Sequence, residues 1–193
     1  MCSSDLIQVT DKNRPDILNI KEGGPLVRYD RTLTLEVWYP AALAPGQQPG
    51  GDYRAITRDP AITVTLHGKA VRDAAPRAGA TRYPLVIISH GYPGDRLLMG
   101  HLGETLASKG YVTVSIDHKD STYDDQKAFA STLYNRPFDQ LFVLNEIDRL
   151  SKSGSGSFLS GLVDATTAGI VGYSMGGRSE EHTSELQSRQ YLV

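Results

Sequence analysis

The chain has 193 residues and a formal net charge of −2, with 20 Lys plus Arg against 22 Asp plus Glu. That is enough for one domain with a real core, and no basic stripe offers the footprint that nucleic acid requires. The one cysteine, Cys2, excludes a disulfide framework and a thiolate metal site, and no apolar run approaches the length that spans a bilayer.

Residues 32–39 are β-branched, aromatic and partly alternating, and Pro40 closes them, which predicts a strand near the edge of a sheet. The Pro/Gly/Gln stretch 44–52 reads as a loop. Residues 61–66 alternate Ile62, Val64 and Leu66 with small or polar partners, as a half-exposed strand does. Leu85-Val86-Ile87-Ile88 is apolar on both faces, the mark of an interior parallel strand with helices on each side. Leu98, Leu102, Leu106 and Ala107 recur at helical spacing, and Gly110 stands where a helix C-cap favours positive φ. Residues 111–116 form the next strand, followed by a polar loop over 117–126. Pro137 fits a helix's first turn, with Leu141, Leu144, Ile147 and Leu150 as one face of that helix. A Ser/Gly linker spans 151–157, and residues 168–173 form a last strand that runs into a turn. Strands alternating with helices argue for βαβ units and a parallel sheet, whose ligands bind at the strands' carboxyl ends.

Gly172-Tyr173-Ser174-Met175-Gly176 fits G-x-S-x-G directly after a predicted strand, the context in which that pentapeptide is a nucleophile elbow. The turn from strand to helix brings the residues flanking the serine together, so only glycine fits at 172 and 176. Ser174 is then the candidate nucleophile, its hydroxyl exposed at a helix N-terminus. A plain Gly-rich turn with a surface serine is the bland alternative. Ser89-His90-Gly91-Tyr92-Pro93-Gly94 follows the most apolar strand, where such a fold takes one oxyanion donor. The backbone N–H groups of Tyr92 and Met175 are therefore the candidate oxyanion hole, with His90 and Gly91 shaping the loop. His90 is expected to pack beneath that loop, because the general base should follow the serine in sequence. His118 and Asp120 lie in a polar loop with no second histidine at ligand spacing, so no metal is expected there, and no cofactor is implied.

With these motifs placed, residues 9–177 resemble the bacterial dienelactone hydrolase-like and platelet-activating-factor acetylhydrolase-like esterases of the α/β-hydrolase superfamily. The resemblance runs through ordered landmarks: Asp11 to Pro15, Glu36 to Ala41, Ala70 to Pro76, Pro84 to Gly91, Leu106 to Tyr111, Ile116 to Ser121, Asn135-Arg136-Pro137 and Gly172 to Gly177. It implies an α/β-hydrolase fold with a mostly parallel sheet, and a Ser-His-Asp carboxylic-ester hydrolase that forms an acyl-enzyme on small or lipid esters without a metal. Dienelactone hydrolases proper use a cysteine nucleophile, so the serine favours the acetylhydrolase-like branch. A non-catalytic α/β-hydrolase-like binding protein is the competing expectation.

Both ends depart from the pattern. The helix after an elbow needs a broad apolar face, whereas the stretch 178–190 carries Leu186 as its one large aliphatic residue. Residues 178–193 read as the translation of a common sequencing-library adapter, and residues 2–6 as the same stem in reverse complement. The expectation is that 1–6 and 178–193 are foreign, that 7–177 is the N-terminal portion of an α/β-hydrolase domain, and that His182 is not the catalytic histidine. Triad order in this fold is Ser, Asp or Glu, then His, so the acid and histidine are expected to be absent from this chain and the chain inactive by itself. Compartment and oligomeric state are not read from it.

Overall fold

The computed structural model describes residues 1–77, 79 and 81–177; the segment 178–193, with His182, lies outside the described residues. The elements in chain order are β1 (Cys2–Pro15), β2 (Arg28–Pro40), β3 (Gly51–Ile56), β4 (Thr63–Gly68), β5 (Val71–Arg72), β6 (Tyr83–Ser89), α1 (Gly100–Ser108), β7 (Val112–Asp117), α2 (Phe129–Ser151) and β8 (Val163–Gly172). Six strands form one sheet in the order β5-β1-β2-β7-β6-β8. The run β7-β6-β8 is parallel, and β2 is antiparallel to both neighbours.

Strand β2 stands near one edge of the sheet, as its composition suggested, but not at it. It lies between β1 and β7, and the long pairing from Cys2↔Pro40 to Pro15↔Arg28 covers its outer side. Strand β1 escapes a pattern reading because its side chains are mixed in polarity, yet Cys2, Ser3 and Ser4 are buried. The Ser3 hydroxyl donates to the Val71 carbonyl at 2.9 Å and accepts from the Ala74 N–H at 2.9 Å. A strand asks only for extended backbone that can pair. The predicted strand at 61–66 is β4, which pairs with β3 in a separate hairpin rather than joining the main sheet.

Alternation along β2 sorts the two helical layers. Val37 and Tyr39 face one core with Val143, Leu144 and Ile147 of α2, whereas Trp38 faces a smaller one with Leu97 and Ala107 of the α1 segment. Helix α1 turns Gly103, Glu104 and Ala107 inward, and Leu98 is exposed. The approach is close: a Cβ on Gly103 would stand 2.5 Å from the Trp38 ring. Gly110 takes φ +97° and closes α1 as its sequence position predicts.

Helix α2 begins eight residues before Pro137, which sits inside it rather than in its first turn. The start is hidden in sequence because the inward positions Ser131, Thr132, Asn135, Arg136, Asp139 and Gln140 are polar. The apolar face appears only at Val143, Leu144 and Ile147.

Candidate active site

Strands β6, β7 and β8 end side by side, and their carboxyl-end loops bring the predicted site residues together. Strand β8 runs to Gly172, and Met175–Gly177 begin a helical turn. Between them Ser174 adopts φ +55°. The other non-glycine residues with positive φ among the described residues are Asn13, Asp73 and Asp120, types that tolerate this region. A serine there is held against a cost of about 1–2 kcal/mol. What holds it is steric. A Cβ on Gly172 would overlap the backbone of Gly176 and Gly177, and one on Gly176 would overlap the Ser89 carbonyl. The Tyr173 N–H donates to that same carbonyl at 3.0 Å, which ties the turn to the end of β6. Ser174 is exposed.

The loop after β6 packs against this turn. A Cβ on Gly91 would stand 3.0 Å from the Tyr173 ring and 3.4 Å from the Ser174 Cβ, so glycine permits the approach. Tyr92 is anchored by its side chain, its hydroxyl donating to the Lys127 carbonyl at 3.0 Å and its ring meeting Phe129 edge-on. Its N–H makes no hydrogen bond to another described residue. Among the described residues no histidine is recorded against Ser174.

His90 is buried under the loop. Its Nδ1 contacts the Gly91 carbonyl at 2.6 Å, and its Nε2 lies 3.2 Å from the His118 N–H. The backbone N–H must donate, so Nε2 is the acceptor and the proton sits on Nδ1, facing the carbonyl. Burial lowers its pKa well below the ordinary value, and neighbouring His118 and Arg136 act in the same sense. His90 is thereby a neutral strut.

Beneath the loops lies a buried polar layer that sequence reasoning did not assemble. Ser89 Oγ is 2.8 Å from His118 Nε2, and His118 Nδ1 is 3.1 Å from Asp139 Oδ2, with all three residues sealed from solvent. Arg31 meets Asp139 through Nε at 2.8 Å and Nη2 at 2.9 Å, and Asp120 through Nη1 at 2.8 Å. Burial alone would raise the Asp139 carboxyl, but the Arg31 guanidinium and the His118 N–H hold it well below the usual carboxylate range. Burial pushes His118 down to about 4, aided by the charge of Arg136 and opposed by Asp139. Both ring nitrogens of His118 are thus engaged within the protein. A signal for this layer did exist, since Ser131, Asn135, Arg136, Asp139 and Gln140 fall on the same inward face as Val143 and Ile147. Three of the landmarks, Pro84 to Gly91, Ile116 to Ser121 and Asn135-Arg136-Pro137, contribute residues to it.

A cavity of about 330 Å³ opens beside this site, lined by Arg54, Ile56, Asp95, Arg96, Asp117 and Tyr123 among others. One wall is the β3–β4 hairpin and the other the loops after β6 and β7. Asp95 is raised to about 6 by burial and by the neighbouring Asp117. None of the predicted site residues lines this cavity.

A central sheet flanked by helices, with a strained serine at the end of a parallel strand, defines an α/β-hydrolase. The structure of a ferulic acid esterase from Streptomyces cinnamoneus superposes with a TM-score of 0.70 at 26% identity, covering 97% of this chain and 56% of that one. The chain has the fold of the α/β-hydrolase superfamily. The profile of the family "Platelet-activating factor acetylhydrolase, isoform II" matches residues 58–140. Cutinase 2 of Thermobifida cellulosilytica is 32% identical over 102 residues, which are 53% of this chain and 34% of that protein. Cutinase est1 of Thermobifida alba is 29% identical over 102 residues, 53% of this chain and 30% of its own length. The matched stretch thus spans about a third of those relatives.

Proposed function

We propose that Ser174 is the nucleophile of a serine carboxylic-ester hydrolase that works through an acyl-enzyme. The observation that carries this is the Ser174 backbone: a positive-φ serine, exposed, fixed by two glycines that admit no Cβ, and packed against the His90-Gly91-Tyr92 loop. Relatives named as cutinases and a structural neighbour named as a ferulic acid esterase support the ester class.

In this mechanism the Ser174 hydroxyl oxygen attacks the ester carbonyl carbon while a histidine takes its proton. The carbonyl oxygen gains negative charge and is met by the backbone N–H groups of Tyr92 and Met175. Collapse expels the alcohol, which leaves with the histidine's proton, and water then releases the acid from Ser174. No histidine is recorded against Ser174 among the described residues. The reading therefore takes the triad acid and histidine from elsewhere in the natural protein, and holds the present chain inactive or nearly so by itself. Small or lipid esters are the substrate class.

The test is hydrolysis of p-nitrophenyl acetate and butyrate by the full-length natural protein, by its Ser174→Ala variant and by the 193-residue chain. Turnover by the first alone is expected. Turnover that survives Ser174→Ala would remove the reading. Robust turnover by the short chain, lost with Ser174→Ala, would keep the nucleophile but refute the missing base.

A further inference from the structure

Among the described residues, Arg136 is a buried cation with no carboxylate in hydrogen-bonding contact. Its Nη1 donates to the His90 carbonyl, its Nη2 to the Gly91 carbonyl at 2.8 Å and to Ser121 Oγ at 3.0 Å, and its Nε has no hydrogen-bond partner among the described residues. Nη2 also stands 3.2 Å from His90 Nδ1, a nitrogen that already carries a proton, so that approach is repulsive. Arg31, equally buried, differs in every respect. Its donors reach two Asp139 oxygens, Asp120, the Tyr29 hydroxyl and the Lys119 carbonyl. Asp139 acts on it only through space, and burying a guanidinium without a bonded carboxylate is expensive; an apolar side chain of similar length would fill the space more cheaply. The arrangement calls for a use of the charge.

The use follows from peptide geometry. The Gly91 carbonyl and the Tyr92 N–H belong to one rigid peptide unit, which is not among the cis bonds of the described chain. Its oxygen and its hydrogen therefore point in opposite directions. Arg136 Nη2 at 2.8 Å and His90 Nδ1 at 2.6 Å hold the oxygen from within, and the N–H is left without a partner among the described residues. Gly91 itself packs on Ser174 and Tyr173. A cation bonded to an amide oxygen also polarises the amide and strengthens its N–H as a donor.

We infer that Arg136 is a positioning residue for the oxyanion hole: by gripping the His90 and Gly91 carbonyls it aims the Tyr92 N–H at the oxygen of the carbonyl that Ser174 attacks, and sets a positive charge behind that N–H. This rests on the esterase reading above. Charge on that oxygen develops only on the way to the tetrahedral intermediate, so Arg136 acts on kcat and leaves KM nearly alone.

The experiment compares the full-length protein with its Arg136→Met, Arg136→Lys and Ser174→Ala variants on p-nitrophenyl butyrate. Folding is checked by circular dichroism, and inhibition is measured with a trifluoromethyl ketone, whose hemiketal oxyanion needs the hole. Arg136→Met is expected to lose about 100-fold in kcat, the order of one oxyanion donor, with KM within threefold and a parallel loss of ketone affinity. Arg136→Lys keeps the charge but cannot fork to two carbonyls, and is expected to lose about tenfold on the same ground. A folded Arg136→Lys or Arg136→Met with kcat and ketone affinity within threefold of the parent overturns the inference, even if its melting temperature has dropped. If Arg136→Met does not fold, Arg136→Lys decides alone. No parental turnover, or turnover that survives Ser174→Ala, removes the esterase reading and this inference together. Turnover lost with Ser174→Ala but untouched by Arg136→Lys removes the inference alone.

Discussion

Two serines sit at the ends of adjacent strands and have opposite endowments. Ser89, closing β6, has the connectivity of a catalytic triad: its hydroxyl lies 2.8 Å from His118 Nε2, and His118 Nδ1 lies 3.1 Å from Asp139. It is sealed from solvent and its backbone is ordinary strand. Ser174, just past β8, has no histidine recorded against it among the described residues, but it is exposed and strained at φ +55°. On the proposed reading, a hydrogen-bonded Ser-His-Asp chain is no sufficient sign of a nucleophile. Access and a backbone that presents the oxygen beside the His90-Gly91-Tyr92 loop separate the two, and they are set by Gly172, Gly176 and Gly91 rather than by acid–base partners.

The largest effect that tests this contrast is Ser174→Ala in the full-length protein. It is expected to lower kcat by on the order of 10⁵–10⁶, as read by ester hydrolysis, with melting temperature unchanged or slightly raised. Loss of the same size on Ser89→Ala would reverse the assignment of the two serines. Next, Gly176→Ala drives a methyl into the Ser89 carbonyl. It is expected to collapse the elbow, with turnover below about 1% of the parent, a loss of the order seen for an oxyanion donor, and no labelling by a fluorophosphonate probe. Labelling at the parental rate would show that the turn can relax.

On the buried side, Asp139→Asn leaves Arg31 and His118 facing a neutral amide. It is expected to cost about 3–5 kcal/mol in urea unfolding. A smaller effect belongs to pH. Because His118 is held neutral down to about 4 against an ordinary 6.5, the unfolded chain takes up its proton first as pH falls. The contribution of this group is complete above about 6.5 and is lost on descent to about 4. Asp5 and Asp95, each raised to about 6, act in the opposite sense. The useful quantity is therefore the stability difference between the parent and His118→Asn, which is expected to narrow between pH 6.5 and pH 4. A difference that stays constant would mean that His118 titrates no lower in the folded than in the unfolded chain. Smallest is Ser89→Ala, which strips His118 Nε2 of its partner at a cost of about 1–2 kcal/mol and is expected to leave kcat within threefold.

The exposed side of the contrast was legible in sequence and the buried side was not. The elbow announces itself because two glycines at fixed spacing follow an apolar strand, and Leu85 to Ile88 announce β6 because both faces are apolar. Patterns of hydrophobicity see apolar burial. They are blind where the interior is polar, which is why α2 was read from Pro137 onward and its first turns were lost. The same blindness hid β1, whose buried Ser3 and Ser4 look like surface residues. Nothing in the residues of β2 announces the partner that β1 supplies. Arg136 was visible only as part of Asn135-Arg136-Pro137, a landmark without a stated role.

Helix α2 is a single rod with two kinds of grip. At its far end Val143, Leu144 and Ile147 are wedged into the sheet, and nearer its start Arg136 and Asp139 hold the loops on which the proposed chemistry depends. A rigid bar fixed at one end passes any tilt to the other. Substitutions that merely loosen the apolar seat, such as Ile147→Val, would swing the guanidinium against the carbonyls it holds, so catalytic rate should register damage in the distant core before melting temperature does. Laboratory evolution of such a scaffold would then find activity-restoring changes along one side of α2, far from any atom of the substrate.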